Sequence, residues 1–200
     1  MVLIPVGPLQ NIALAIRKDP EIVPLVKAIV AMGGEFNGIL FPGGFNWWFC
    51  PHSARIVLRS GIPLTIVPTD VTVHTALTLE QLDNIGQSEL TEWLKQIAEP
   101  FMKHIKDGEK AALLHDPLAV AIAVDPTIAT ETRELYVDTI TEGPWAGLTV
   151  GQATTLGWTA LRGELSTEMI KKALVVTEHN EERFVSFYLQ SLKMLVHSVS

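Results

Sequence analysis

One cysteine among 200 residues, Cys50, leaves no internal disulfide to form, so the fold does not rely on cross-links or oxidising surroundings. Basic charge is scarce as well. Fifteen Lys and Arg against 22 Asp and Glu give a net charge of −7. No basic stripe occurs, which argues against a nucleic-acid backbone or an anionic membrane as the main partner. No apolar run approaches the roughly 20 residues of a membrane span. The N-terminus also lacks the charged region and long apolar core of a signal peptide, so the cytoplasm is the expected location. What is present is 48% hydrophobic and 18% charged residues, enough to bury a sizeable core. No linker, repeat or low-complexity tract divides the chain, and 1–200 reads as one domain.

After the opening segment, the next 60 residues alternate between strand and helix signals, the signature of parallel strands joined by helices across the faces of a sheet. Val2 to Val6 reads as a buried strand, and its appearance at the very start suggests sequence missing upstream. Leu9, Ile12, Ala13 and Ile16 have helical spacing, and Asp19-Pro20-Glu21 supplies a cap, a proline at N1 and an acid for a second, short helix. Ala28 to Met32 reads as a buried strand ending at Gly33-Gly34. A helix from Pro51 to Leu58 stops at Gly61, before the strand Pro63 to Val67. Thr78 and Gln81 have capping-box spacing for a short helix to Ile85. A longer helix is expected from Glu89 to Ile105, kinked at Pro100, with Trp93 in the core. Strand-like runs follow at Glu131 to Thr141 and Ala173 to Thr177, and an amphipathic helix closes the chain from Glu181 to Leu195. Residues 143–163, rich in Gly and Thr, are the least regular part.

The run Leu113-Leu114-His115-Asp116-Pro117-Leu118-Ala119 places two polar groups at the mouth of an apolar helix. Read locally, Asp116 is an N-cap, Pro117 sits at N1, and His115 is incidental. Other candidates have plainer readings. Trp47-Trp48-Phe49 favours a buried anchor over a base-stacking surface, and Cys50 a small buried hydrophobe. Asp70 suits loop capping. His52, His74, His104, His179 and His197 are scattered, and surface or local structural roles are their default.

Taken in order, Gly7-Pro8-Leu9-Gln10-Asn11-Ile12-Ala13, Met32-Gly33-Gly34, Phe45-Asn46, Pro51 to Val57, Asp70-Val71-Thr72 and His115-Asp116-Pro117 form a series. This series resembles the nucleoside hydrolases, the inosine–uridine-preferring N-ribohydrolase family, through most of the chain. The resemblance implies an α/β fold with an open, mainly parallel, Rossmann-like sheet flanked by helices and the N-terminal part missing. The site is expected beyond the carboxyl ends of the strands. It also implies calcium-dependent hydrolysis of the N-glycosidic bond of ribonucleosides to free base and ribose. Within it, His115 matches the histidine that protonates the leaving base and Asp116 a metal-binding aspartate. Val6 falls where a backbone carbonyl binds Ca²⁺. Asn46 matches a ribose-contacting asparagine, Met32 a methionine of the sugar pocket, and Asn37 a pocket asparagine. The expected partner is a ribonucleoside, and the family forms dimers and tetramers.

Two departures bear on activity. The family's Asp-x-Asp-x-x-x-Asp-Asp signature, the source of most metal carboxylates, does not occur here, whereas Ca²⁺ takes about 6–8 oxygen ligands. Gly44 also stands where the family carries a glutamate. The alternative is therefore a catalytically inactive homologue acting as a ligand-binding or assembly protein. Its incompletely covered sheet would expose an edge and favour self-association.

Overall fold

The computed structural model describes residues 1–37, 43–102, 104–106, 109–154 and 170–199. Six strands form one sheet. They are β1 (Val2–Leu3), β2 (Ala28–Met32), β3 (Leu64–Val67), β7 (Ala129–Thr139), β8 (Thr149–Gln152) and β9 (Lys172–His179), in the order β1-β2-β3-β9-β7-β8. The first four positions of that order are parallel, and β7 joins antiparallel to both β9 and β8. This is the mainly parallel α/β sheet expected. A second, three-stranded antiparallel sheet of β4 (Leu77–Thr78), β6 (Glu109–Ala112) and β5 (His104–Lys106) was not anticipated.

Side-chain alternation along β2 builds two cores. Ile29 and Ala31 face α1 (Gln10–Lys18) and α3 (Pro51–Leu58), with Val57, Ile66 and Trp47 in the same cluster. Val30 and Met32 face α7 (His115–Val124) and α8 (Glu181–Val199), with Leu118, Val176 and Phe184. Burial on both faces explains why β2 reads as a continuous apolar run. Two further helical turns, α2 (Phe45–Trp48) and α4 (Thr69–Thr72), follow the loops after β2 and β3. Next along the chain are α5 (Leu79–Asp83), which carries the expected capping box on Thr78, and α6 (Glu89–Ala98).

Several expectations are corrected. β1 is only two residues long and lies at the sheet edge, with Val2 exposed, so it is not the buried strand its composition suggests. Pro100 ends α6 in a turn of 3-10 helix over Glu99–Phe101 and does not kink a continuous helix; Ile105 belongs to β5. Trp93 is 57% exposed. Ile97 is exposed as well, whereas Leu90 and Ala98 of the same helix pack against the core. Residues 155–163 of the irregular stretch lie outside the described residues.

Candidate functional site

The carboxyl ends of β2 and β3, the segment after β1 and the N-terminus of α7 enclose a cavity of about 320 Å³, lined by Val6, Met32, Gly33, Phe45, Asn46, Thr69, His115 and Asp116. In an open parallel sheet this is where loops leave the strands and a ligand can enter. Five of the six site residues read from the sequence therefore converge. The sixth, Asn37, is not among the lining residues. Its backbone N–H donates to Oδ1 of Asp70 at 2.9 Å, and Phe36 N–H donates to Oδ2 at 2.8 Å. Asp70 thus does the loop capping expected of it, and that capping holds Asn37 beside a different groove, one lined also by Leu135 and Glu178.

The cavity floor depends on a glycine and a tryptophan. Gly33 has φ +153°, and a Cβ there would lie 2.4 Å from Nε1 of Trp47, which is fully buried. Trp47 is thus the anchor expected of the aromatic run, whereas Trp48 and Phe49 are 43% and 58% exposed. Gly44 has φ +72°, and a Cβ would meet Oγ1 of Thr69 at 2.8 Å and the Gly34 carbonyl oxygen at 3.0 Å. A glutamate at this position has no room. Cys50 is half-buried, its Sγ 3.1 Å from Oγ of Ser53.

Asn46, in the first turn of α2, binds the cavity walls together. Its Nδ2 donates to the carbonyl oxygens of Met32 at 3.1 Å and Val6 at 3.3 Å, and lies 3.3 Å from Sδ of Met32. Acceptors therefore occupy the amide nitrogen, and Oδ1 is the atom left to accept from a ligand hydroxyl. The Val6 carbonyl is turned to the same place and keeps a second lone pair.

The start of α7 corrects the local reading. Leu114 is the N-cap, His115 opens the helix, and Asp116 falls in its first turn with no side-chain capping bond. The carboxylate is thus not spent on capping its own helix. Burial pushes the Asp116 carboxyl above its ordinary value, with no hydrogen bond or cation acting against it. His115 is held differently. Its Nδ1 lies 2.6 Å from Oγ1 of Thr72, in α4. Thr72 lies in the motif Asp70-Val71-Thr72, but neither its place beside His115 nor that of Thr69 on the cavity wall is legible in the sequence.

Among the described residues no group of three or more His, Cys, Asp or Glu could hold a metal ion. Among the described residues, Asp116 is the one carboxylate lining the cavity, and the Val6 carbonyl adds a second oxygen. This set falls well short of the about 6–8 oxygens of a calcium site. Asp138 does not supplement it, because on β7 it is buried against Arg55 and Arg59.

The family model for inosine-uridine preferring nucleoside hydrolases matches residues 1–186. The chain belongs to this family. An uncharacterized protein of Schizosaccharomyces pombe is 34% identical over 163 residues, covering 76% of this chain and 50% of its own length. The pyrimidine-specific ribonucleoside hydrolase RihB of Escherichia coli is 33% identical over 156 residues, 74% of this chain and 49% of its own. The chain thus spans about half the length of these two relatives. Among solved nucleoside hydrolases, the purine-preferring ribonucleoside hydrolase of Gardnerella vaginalis superposes with a TM-score of 0.80 at 30% identity, covering 98% of this chain and 61% of that one. A plant nucleoside hydrolase gives the same TM-score at 22% identity, over 96% of this chain and 61% of that one.

Proposed function

We propose that the cavity at the N-terminus of α7 is a nucleoside site, and that the reaction it serves is hydrolysis of the N-glycosidic bond of a ribonucleoside to free base and ribose. The observation that carries this reading is the convergence of His115, Asp116, Asn46, Met32 and Val6 around one cavity at the strand ends. In this reading Asn46 Oδ1 accepts from a ribose hydroxyl, and Met32 and Phe45 pack against the sugar. His115 donates a proton to the departing base, on which negative charge builds as the bond breaks. General-acid help of this kind is worth about 10²–10⁴ in rate. Asp116 and the Val6 carbonyl would be the chain's own oxygens toward Ca²⁺, but they do not complete a calcium site, and no step is assigned to the ion.

A second reading has its own observation behind it. With one carboxylate at the cavity among the described residues, the chain could bind a nucleoside without cleaving it, as an inactive homologue. Ribose release from a panel of purine and pyrimidine nucleosides, with calcium and with a chelator, separates the two. Hydrolysis predicts release that His115→Ala reduces about 10²-fold or more with little change in KM. If chelation abolishes it, further ligands must complete the metal site. No release from a folded sample overturns the hydrolytic reading and leaves the binding one.

A further inference from the structure

We propose that Thr69 is a sugar-recognition residue, whose hydroxyl exchanges a hydrogen bond with one hydroxyl of the nucleoside next to the one met by Asn46. This role rests on the reading of the cavity as a nucleoside site. Thr69 is only 6% exposed and lines the cavity. Hydroxyls inside a protein are ordinarily spent on the chain itself. Of the seven buried threonines among the described residues, six follow that rule. Thr72 Oγ1 meets His115, Thr75 Oγ1 accepts from the backbone N–H of Leu114 at 2.8 Å, and the hydroxyls of Thr78, Thr91, Thr139 and Thr149 are each paired within the chain. Thr69 is the exception, its hydroxyl having no partner among the described residues. Nor is Oγ1 sealed off, as the unpaired Oγ1 of Thr177 is.

The backbone around Thr69 holds the hydroxyl in place. β3 ends at Val67, Pro68 is the extended N-cap of α4, and Thr69 is the first residue of that turn. Its N–H donates to the Gly34 carbonyl oxygen at 2.9 Å, and its own carbonyl oxygen accepts from the Val73 N–H at 3.1 Å. With both backbone groups engaged, a β-branched side chain has few rotamers left. Oγ1 rests against Gly44, 2.8 Å from where a Cβ would stand, so the space a side chain at 44 would enter belongs to the Thr69 hydroxyl. Gly44 is in turn the N-cap of α2, the turn that carries Asn46. The two polar side chains therefore come from adjoining turns and offer different chemistry. Asn46, its amide nitrogen engaged, can only accept, as can the ionised Asp116, whereas a hydroxyl can give or take. A sugar hydroxyl does both as well, so the match holds whichever of the two donates.

The test is a set of dissociation constants for inosine and uridine and for their 2′-, 3′- and 5′-deoxy forms, taken in a His115→Gln background should the wild-type chain cleave them. Thr69→Val, which keeps the shape and removes the hydroxyl, should weaken binding of the parent nucleosides about 3–10-fold. Thr69→Ser should bind them like wild type. One deoxy form, the one lacking the hydroxyl that Thr69 meets, should bind Thr69→Val and wild type alike, while the other two keep the loss. Wild-type affinity of Thr69→Val for the parents overturns the proposal, and so does an equal loss for the parents and all three deoxy forms, which a purely structural role would give. If Asn46→Ala still weakens binding in either case, the nucleoside site stands and only the role of Thr69 falls. A wild-type chain that binds neither nucleoside removes the site and this role together.

Discussion

His115 and Asp116 are adjacent in sequence, yet opposite kinds of surroundings act on them. The His115 ring is fixed by the Thr72 hydroxyl, whereas burial alone raises the Asp116 carboxyl. His179 shows a different consequence of burial. Desolvation lowers its pKa, Glu181 and His74 act on it in opposite senses, and its buried Nε2 has no hydrogen-bond partner. The neutral form is the native one. Below the ordinary histidine value of about 6.5 the unfolded chain gains a proton that the folded chain refuses until pH falls through the lowered value, so stability is lost across that window. Thermal melts between about pH 7 and pH 5.5 should show a fall in Tm that flattens in His179→Gln. Equal slopes in the two chains would mean that His179 does not titrate this way.

At the scale of elements, the site is assembled where helices begin and strands end, and the bond between α3 and β7 keeps one side of that frame in place. Asp138 is buried, and Arg59 and Arg55 both reach it, while Arg55 also donates to the Thr139 carbonyl oxygen at 3.1 Å. Asp138→Asn keeps the shape but leaves two partly buried guanidinium groups without their anion. It should cost about 3 kcal/mol, read as a lower urea midpoint at unchanged slope. A loss within about 0.5 kcal/mol would show that the pair is solvated and structurally idle. The same scale shows what was legible in the sequence. The apolar run of β2, the capping box before α5 and the closing helix follow from local chemistry. The start of α7 does not, because Asp116-Pro117 is a good cap locally and only the pull of Thr72 and Thr75 on His115 and Leu114 brings the helix start forward. Pro100 likewise cannot show from sequence alone whether it bends a helix or ends it. The order of motifs disclosed five of the six residue placements, since those residues sit on strand ends and helix starts. Asn37 lies on a loop whose path is set by Asp70, 33 residues further on.

Across the whole molecule, one sheet with helices on both faces brings together segments from Val6 to Asp116 around one cavity. Two of the walls, Val6 and Asn46, are joined directly by the Asn46 amide. The β1 edge lies on the same side, next to Val6, in a chain about half the length of the two relatives above. Whether this cavity takes a nucleoside is decided by titrating the labelled chain with unreacted nucleoside, or with ribose if a nucleoside is cleaved, and following amide and side-chain shifts. Saturable changes centred on Val6, Met32, Asn46 and His115, and lost in Asn46→Ala, are expected. Changes centred instead on the groove of Arg17, His52 and Arg55, or no change at saturating ligand, would mean that the cavity is not the nucleoside site.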